Sequence, residues 1–369
     1  MKFGLIEAAV PSPASLPARS VYPEWLARLG LIVAATLATL LVLELVLRTC
    51  WGYLLLWPNF VVSARTALAD QDRSRYVHDD LLGYVPRAGY AAAGVTIDAN
   101  GLRHTADLPA SQTAGAILTV GDSFTFGAEV SDRETWPAHL QTLTGQKVLN
   151  GGVSGYGFDQ IVLRAESLAA TLRPSVIVVG FIADDIRRTE MRRLWSADKP
   201  YFELDHDTQV LRNVPVPPRA EPRATLNFWQ RTLGYSFLFE FILRRLDLLH
   251  DWFGDHVRVH PADSGERIAC RLTSRLAALQ DKSGARVLVL AEYDPVVWQN
   301  ADFSTEQRRL TGHLLGCAKQ NGLDVLDSFD AMAGHKGGPS ELYVLWHMNA
   351  EGNQLIAGFV AGWLGKRVH

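Results

Sequence analysis

The apolar stretch "AILTV" (116–120) runs directly into "GDSFTFG" (121–127), so a buried strand ends on Gly-Asp-Ser. A hydroxyl displayed at a strand end is a candidate nucleophile, and Ser123 supplies it. A turn is the plainer use of Gly, Asp and Ser in a row. What separates the two readings is whether the chain also supplies a base and donors for an anion. His347, in "LWHMNAEGNQLIA" (345–357), is the candidate base. Alone it would serve structure as readily as chemistry; with Ser123 it makes a nucleophile–base couple. The Gly-rich "LNGGVSGYG" (149–157) and the paired acids Asp184 and Asp185 in "VVGFIADDI" (178–186) are the remaining candidates. Glycines expose backbone N–H groups but also simply make turns. Two aspartates after a strand either do chemistry or cap the helix that begins near Ile186.

These residues need a scaffold, and the chain around them alternates. "AILTV", "KVLN" (147–150), "SVIVVGF" (175–181), "ARVLVLAEY" (285–293) and "LDVLD" (323–327) read as short buried strands. Helical patterns fall between them, near 136–143, 158–172, 304–321 and 350–364. Such alternation predicts a parallel sheet covered by helices on both faces. Ligands of these sheets bind at the carboxyl ends of the strands. Ser123, Gly155 and Asp184 all fall just past such ends. Between Met191 and about residue 262 the alternation stops. "YFELDHDTQVLRNVPVPP" (201–218) reads as a hairpin, with His206 in its turn. "SFLFEFILRRLDLLHDWF" (236–253), with Arg244, Arg245 and Asp247, reads as one amphipathic helix. Its apolar face is expected to pack inward, in preference to lying on a membrane surface. Upstream of the sheet, "VTIDANGLRH" (95–104) carries an Asn100-Gly101 hairpin signal.

On these motifs the chain resembles the SGNH (GDSL) hydrolases in their membrane-anchored bacterial form, over about residues 115–365 with 195–262 inserted. The resemblance implies an α/β fold: a flavodoxin-like three-layer α/β/α sandwich with a central parallel sheet, an N-terminal transmembrane helix and an inserted hairpin/helix region. It implies Ser123 as nucleophile and His347 as general base, with the backbone N–H groups of Ser123 and Gly155 as oxyanion donors. Asp122 and Asp185 are implied as supporting residues. Two positions depart from the family pattern. Asp184 stands where the family has an Asn that donates to the oxyanion, and an ionised carboxylate donates nothing. A protonated Asp184 could donate, and a neighbouring Asp185 would favour the proton. The usual triad acid lies three or two residues before the histidine, where this chain has Val344 and Leu345. A main-chain carbonyl, Glu341 or Asp294 could replace it. Losing an oxyanion donor costs roughly 100- to 1000-fold in rate, and losing the orienting acid about 10⁴-fold, in well-studied proteases.

Composition narrows the setting. From Leu29 to Leu47, nineteen residues contain one charge, Glu44, and span about 28 Å, the thickness of one hydrocarbon core. Trp51, Tyr53 and Trp57 follow, as in an interfacial belt. The run starts late and lacks a small-residue cleavage site, which argues for an uncleaved anchor over a signal peptide. Lys2, Arg19 and Arg28 before it and Arg48 and Arg65 after it bias the N-terminus slightly inward. The expected organisation is a cytoplasmic tail (1–28), an anchor and interfacial segment (29–57), a strand-containing linker packing on the catalytic domain (58–114), and that domain (115–365). The expected location is a bacterial inner membrane, single-pass, with the C-terminal domain periplasmic. A net charge of -3 with dispersed Lys and Arg excludes the basic face that nucleic-acid binding needs. Cys50, Cys270 and Cys317 are too few and scattered for a disulfide framework or a zinc site, though Cys270 and Cys317 could pair in an oxidising compartment. "HVRVH" (256–260) has spaced histidines but no evident third ligand, so no metal and no cofactor is expected.

The expected function is a membrane-anchored serine esterase or O-acyltransferase acting on O-acyl groups, acetyl above all, of a glycan, lipid or envelope substrate. Similar family members work beside a multi-spanning membrane acyltransferase, which is therefore an expected partner. The alternative is a catalytically weak SGNH-like domain serving as a binding or assembly subunit of a membrane complex.

Overall fold

The computed structural model describes residues 24–50, 74–92, 94–105, 115–205, 208–218, 227–246 and 248–365. His206, Asp247, Trp51, Tyr53 and Trp57, and the tail before Glu24, lie outside them. The centre is a five-stranded sheet. β1 (Ile117–Val120), β2 (Val148–Asn150), β3 (Val176–Phe181), β4 (Arg286–Ala291) and β5 (Asp324–Asp327) run in the order β5-β4-β3-β1-β2. All four pairings are parallel. This is the doubly wound order of flavodoxin-like folds, in which the chain reverses direction beside β1.

The alternation of side chains along each strand divides the core in two. Ile177 and Val179 of β3 and Val287 and Val289 of β4 face one helical layer, α4 (Phe158–Leu172), α9 (Gly265–Ser283) and α10 (Ala301–Gln320). Val176, Val178, Leu288 and Leu290 face the other, α3 (Trp136–Thr144) and α12 (Ala350–Gly365). Period-two burial on both faces is what a β-branched strand buried between two layers requires. Short helices finish the strand ends: α2 (Ser123–Phe126) after β1, α5 (Ala183–Arg188) after β3 and α11 (Phe329–Ala333) after β5.

Three parts lie outside this sandwich. α1 (Glu24–Cys50) is a 27-residue apolar helix, long enough to cross a membrane by length and composition. Residues 74–92 and 94–105 hold small hairpins, 76–79 with 83–86 and 91–92 with 95–96, and Arg103 bridges to Asn150 on the β2 edge. The insertion holds the expected hairpin, Tyr201–Asp205 paired with Thr208–Arg212, and then, among the described residues, three short helices. These are α6 (Phe228–Leu233), α7 (Phe237–Arg245) and α8 (Leu249–Phe253). The single helix expected over 236–253 is therefore broken after Arg245; Phe237, Leu243 and Leu249 pack inward as expected, while Phe241, Ile242, Leu246 and Leu248 are exposed.

The cysteines also differ from expectation. Cys270 and Cys317 form a disulfide between α9 and α10, with Cα atoms 5.4 Å apart. The two residues sit on adjoining helices of one layer, a proximity that their separation of 47 residues conceals. Cys50 is free and exposed.

Candidate active site

α2 is a four-residue helix that starts on Ser123 at the end of β1. Asp122 caps it, its Oδ1 accepting the Phe124 N–H at 2.9 Å, and is fully buried. Gly121 is required by the tight exit: a Cβ there would lie 2.1 Å from Thr125 Oγ1 and 2.9 Å from the Gly180 carbonyl oxygen. His347 is delivered from the other end of the chain. Tyr343–Val344 and His347–Met348 form a minute hairpin ahead of α12, with Val344 opposite His347 and Leu345 at a positive φ in the turn. Its imidazole packs on Phe124, ring centroids 5.2 Å apart. Nε2 lies 2.9 Å from Ser123 Oγ. That is hydrogen-bonding distance for a serine donating to a base.

With Nε2 accepting from Ser123, Nδ1 carries the ring proton and needs an acceptor. None of the three substitutes considered from the sequence supplies it. Asp294 Oδ1 is taken by the Val296 N–H at 2.7 Å. Burial pushes the Asp294 carboxyl up, while the nearby His347 pulls it down, so it stands within electrostatic reach of the ring. Glu341 turns its backbone carbonyl to the Asn349 side chain at 2.6 Å. The nearest carboxylate is Glu129, whose Oε1 lies 3.2 Å from Nδ1. It is at ion-pair distance but off the axis of the N–H, so Nδ1 makes no hydrogen bond in this arrangement.

Glu129 escapes a reading of the sequence because it sits in an unremarked loop after α2, with a left-handed backbone (φ 70). That conformation is costly for a residue with a Cβ and persists only where neighbours enforce it. Arg103 enforces it. Its buried guanidinium donates to the carbonyls of Phe126 (2.8 Å), Gly127 (2.5 Å) and Val130 (2.6 Å) and to Asp132 Oδ1 (3.0 Å), bracketing Glu129 on both sides. A carboxylate six residues after the serine is the sole clue the sequence held.

The second loop follows β2. Asn150 Oδ1 accepts the Gly152 N–H at 3.0 Å, and the Val153 N–H donates to the Gly121 carbonyl at 3.0 Å, tying this loop to the nucleophile turn. Gly152 allows close packing: a Cβ would stand 2.4 Å from the Phe126 nitrogen. Gly155 has φ +83, and a Cβ there would crowd Trp195 and the Tyr84 hydroxyl, both at 2.9 Å. The loop thus keeps glycine at both close approaches.

Asp184 and Asp185 have separate tasks. Asp185 closes a capping box, its Oδ2 accepting the Ile182 N–H at 3.1 Å; the helix starts at Ala183, three residues earlier than expected. Burial, reinforced by the charge of Asp122 and opposed by Arg188, pushes the Asp185 carboxyl well up. Asp184 is half exposed and accepts from Arg188, Nε at 3.0 Å and Nη2 at 2.9 Å. Both N–H groups meet one oxygen, Oδ2, which accepts from Arg188. Arg188 Nη1 further donates to Asp185 (2.6 Å) and the Tyr156 carbonyl (2.9 Å), and stands 3.5 Å from Asp122. Asp122 Oδ2 is in turn 3.3 Å from Ser123 Oγ, so one arginine organises the acids beneath the nucleophile.

Among the described residues, two clusters have metal-ligand residue types, and neither fits an ion. Cys270 and Cys317 stand beside His313, but both sulfurs are spent in the disulfide. His250 and Asp255 lie beside His256, the histidines with rings 3.8 Å apart and 2° from parallel. Lone pairs in parallel stacked planes do not converge on one tetrahedral centre. His260, the other histidine of that segment, contacts the Phe202 carbonyl at 2.9 Å instead.

Residues 119–355 match the GDSL-like Lipase/Acylhydrolase family. No curated protein matches significantly. Among solved structures, the chain is similar to TesA (14% identity, covering 67% of this chain and 97% of that one, TM-score 0.37). It is also similar to an α/β hydrolase from the metagenome of Lake Arreo, Spain (15%, 67% and 95%, TM-score 0.41). A third is the lipase/acylhydrolase from Enterococcus faecalis (13%, 68% and 96%, TM-score 0.38). Similarities this distant add nothing to the assignment, which rests on the matched residues. With the Gly-Asp-Ser turn, the parallel sheet and the histidine before the last helix all inside that match, the chain belongs to the GDSL-like lipase/acylhydrolase (SGNH) family, whose members are esterase- and acylhydrolase-type enzymes.

Proposed function

We propose that this chain is a membrane-anchored serine acylhydrolase or O-acyltransferase whose nucleophile is Ser123 and whose base is His347. The observation that carries the proposal is the 2.9 Å contact between Ser123 Oγ and His347 Nε2. In the reaction, Oγ attacks an ester carbonyl while Nε2 takes its proton. The oxyanion is received by the backbone N–H groups of Ser123 and Gly155. Nε2 returns the proton to the departing alkoxide, leaving acyl-Ser123. Water then regenerates the serine in an esterase; a sugar hydroxyl does so in a transferase. Glu129 holds the imidazolium and fixes the Nδ1–H tautomer, taking the place of the acid missing at Val344. A small rotation brings its carboxylate onto the N–H axis.

The rim supports a large acceptor. Trp346 and Leu345 are exposed (63% and 77%) in the turn beside His347, and Trp195 lies against Gly155. Flat aromatic surfaces flanking a serine suit sugar rings, which favours an acylated glycan. The disulfide supports an oxidising compartment, as the periplasm is. The N–H donors of α7, accepted by Glu44 of α1, support a helix that is retained as an anchor rather than cleaved.

The test is labelling by a fluorophosphonate serine probe, with native protein beside Ser123→Ala, His347→Ala and Glu129→Gln. The reading requires labelling of the native chain, none in the first two variants, and labelling slowed about 100-fold in Glu129→Gln, short of the ~10⁴-fold seen where a triad acid is fully in line. A folded native protein that takes no label supports the second reading, a binding or assembly subunit. That reading is favoured by the off-axis Glu129 and by Asp184 in place of a donor.

A further inference from the structure

α6 and α7 expose a run of large apolar side chains, although α7 also packs Phe237 and Leu243 inward. In α7 the inward positions are Phe237, Glu240 and Leu243, and Glu240 is 2% exposed, paired with Arg244 at 2.8 Å. The outward arc carries Phe241, Ile242, Arg245 and Leu246, with Leu246 61% exposed. In α6 the buried residue is Gln230, whose Nε2 donates to the Trp252 carbonyl at 2.6 Å. Its neighbours Phe228 and Trp229 point outward, 69% and 62% exposed. Tyr235 and Leu248 extend the same apolar surface along the connecting turns. A soluble surface does not gather this many large apolar groups on consecutive helices without a partner phase.

The same helices are fastened to α1. Glu44 accepts from the N–H groups of Phe237 and Leu238 (both 2.9 Å) and from Ser236 Oγ (3.0 Å), so a residue of the apolar helix caps the N-terminus of α7. Arg48, nearly buried, pairs with Glu44 at 2.8 Å, donates to the Tyr235 carbonyl and stacks 4.7 Å over Phe237. This clamp lies in the last two turns of α1, between Glu44, the one charge of the Leu29–Leu47 run, and Arg48, where that run ends. α7 is thereby fixed at the level where a bilayer's hydrocarbon meets its headgroups.

We propose that α6–α8 form an in-plane membrane element, a second contact with the same bilayer that α1 crosses, with Phe228, Trp229, Phe241, Ile242 and Leu246 among the acyl chains. The occupant is a lipid surface, and the proposal rests on the reading of α1 as a retained anchor. Helices of this kind place aromatic and aliphatic groups in the interface and keep basic groups at its edge. Arg245, exposed on the outward arc, has the long stem needed to reach headgroups from there. Since the insertion joins the sandwich at Trp195 and returns at His256, beside the candidate site, a fixed membrane element holds that site at a set height above the bilayer.

The experiment uses the full chain with Cys50→Ser, reconstituted in phosphatidylethanolamine/phosphatidylglycerol vesicles. Single nitroxide labels are placed through Phe228→Cys, Leu246→Cys, Leu37→Cys on α1, and Asp302→Cys on the exposed start of α10. Collision rates with oxygen and with a water-soluble nickel chelate are read by power saturation. The proposal expects labels at 228 and 246 to meet oxygen several-fold more, and nickel several-fold less, than the label at 302. Nickel access at 228 and 246 equal to that at 302 overturns it. Low access to both reagents also overturns it, since that marks burial against protein. The label at 37 separates the two readings. Lipid-exposed at 37 with aqueous 228 and 246 leaves the anchor and removes the in-plane element; an aqueous label at 37 removes the anchor whatever the others read.

Discussion

α9 and α7 are both amphipathic, yet only α7 carries large apolar side chains on its exposed side. α9 buries Ile268, Leu272, Leu276 and Leu279 against the sheet and sends Arg267, Arg271 and Ser274 outward. α7 buries Phe237, Glu240 and Leu243 but also sends Phe241, Ile242 and Leu246 outward. A hydrophobic stripe records that a helix has an apolar partner; it does not record whether that partner is protein or lipid. The fastenings differ in kind as well. α9 is stapled covalently to α10, whereas α7 is held to α1 by a carboxylate cap and an arginine.

Removing the staple should have the largest effect. The disulfide closes a loop of 47 residues, for which chain entropy alone gives about 4 kcal/mol. Cys270→Ser with Cys317→Ser should lower the unfolding free energy of the sandwich by up to that amount, read as a reduced denaturant midpoint at unchanged slope. An unchanged midpoint would mean that the bond contributes nothing to the folded domain.

Glu240 and Glu292, both buried, sharpen the contrast. Glu240 in the insertion has Arg244 at 2.8 Å; Glu292, just past β4, accepts from the hydroxyl of Thr125 at 3.1 Å. Burial, and then the charge of Asp122, push the Glu292 carboxyl well above its ordinary 4.5. Below 4.5 it is protonated folded and unfolded, and stability is full. As pH rises past that value the unfolded chain ionises first, so stability falls until the raised folded value is passed. Glu292→Gln should remove this decline and gain on the native protein between acid and neutral pH, in melting curves taken at several pH values. Parallel curves would show that Glu292 ionises alike in both states.

Much of this was legible in the sequence, for identifiable reasons. The strands were plain because "SVIVVGF" and its relatives are short, β-branched and buried on both sides. Ser123 and His347 were plain because each closes a recognisable strand-to-helix transition. What failed was what only tertiary contact creates. Glu129 reaches His347 because Arg103, from a separate segment, bends its loop. The disulfide joins residues adjacent in a helical layer but remote in the chain. Asp184 meets Arg188 one helical turn later, an i,i+4 pair that spacing could have suggested before any role at an oxyanion.

A smaller effect should follow from loosening the clamp. Glu44→Ala removes the acceptor of two backbone N–H groups at the start of α7, a loss of about 1 kcal/mol by analogy with other caps. Amide exchange should quicken over 236–245 while the sandwich helices keep their protection. Faster exchange across α9 and α10 as well would mean that insertion and sandwich unfold as one unit.

The smallest effect is the most telling, because an inward-facing leucine and an outward-facing one differ only in what lies opposite. Leu246→Gln removes an apolar group that touches no sandwich core, so in detergent solution its unfolding free energy should stay within about 0.5 kcal/mol of the native value. The same change at Leu272, fully buried against the sheet, leaves a polar amide without a partner as well as a cavity, and should cost several kcal/mol. If Leu246→Gln destabilised the detergent-solubilised chain as Leu272→Gln does, its side chain would be packed on protein, and the opposition between α7 and α9 would dissolve. A silent Leu246→Gln leaves the apolar arc of α7 with no intramolecular task, and a bilayer is the phase that would use it.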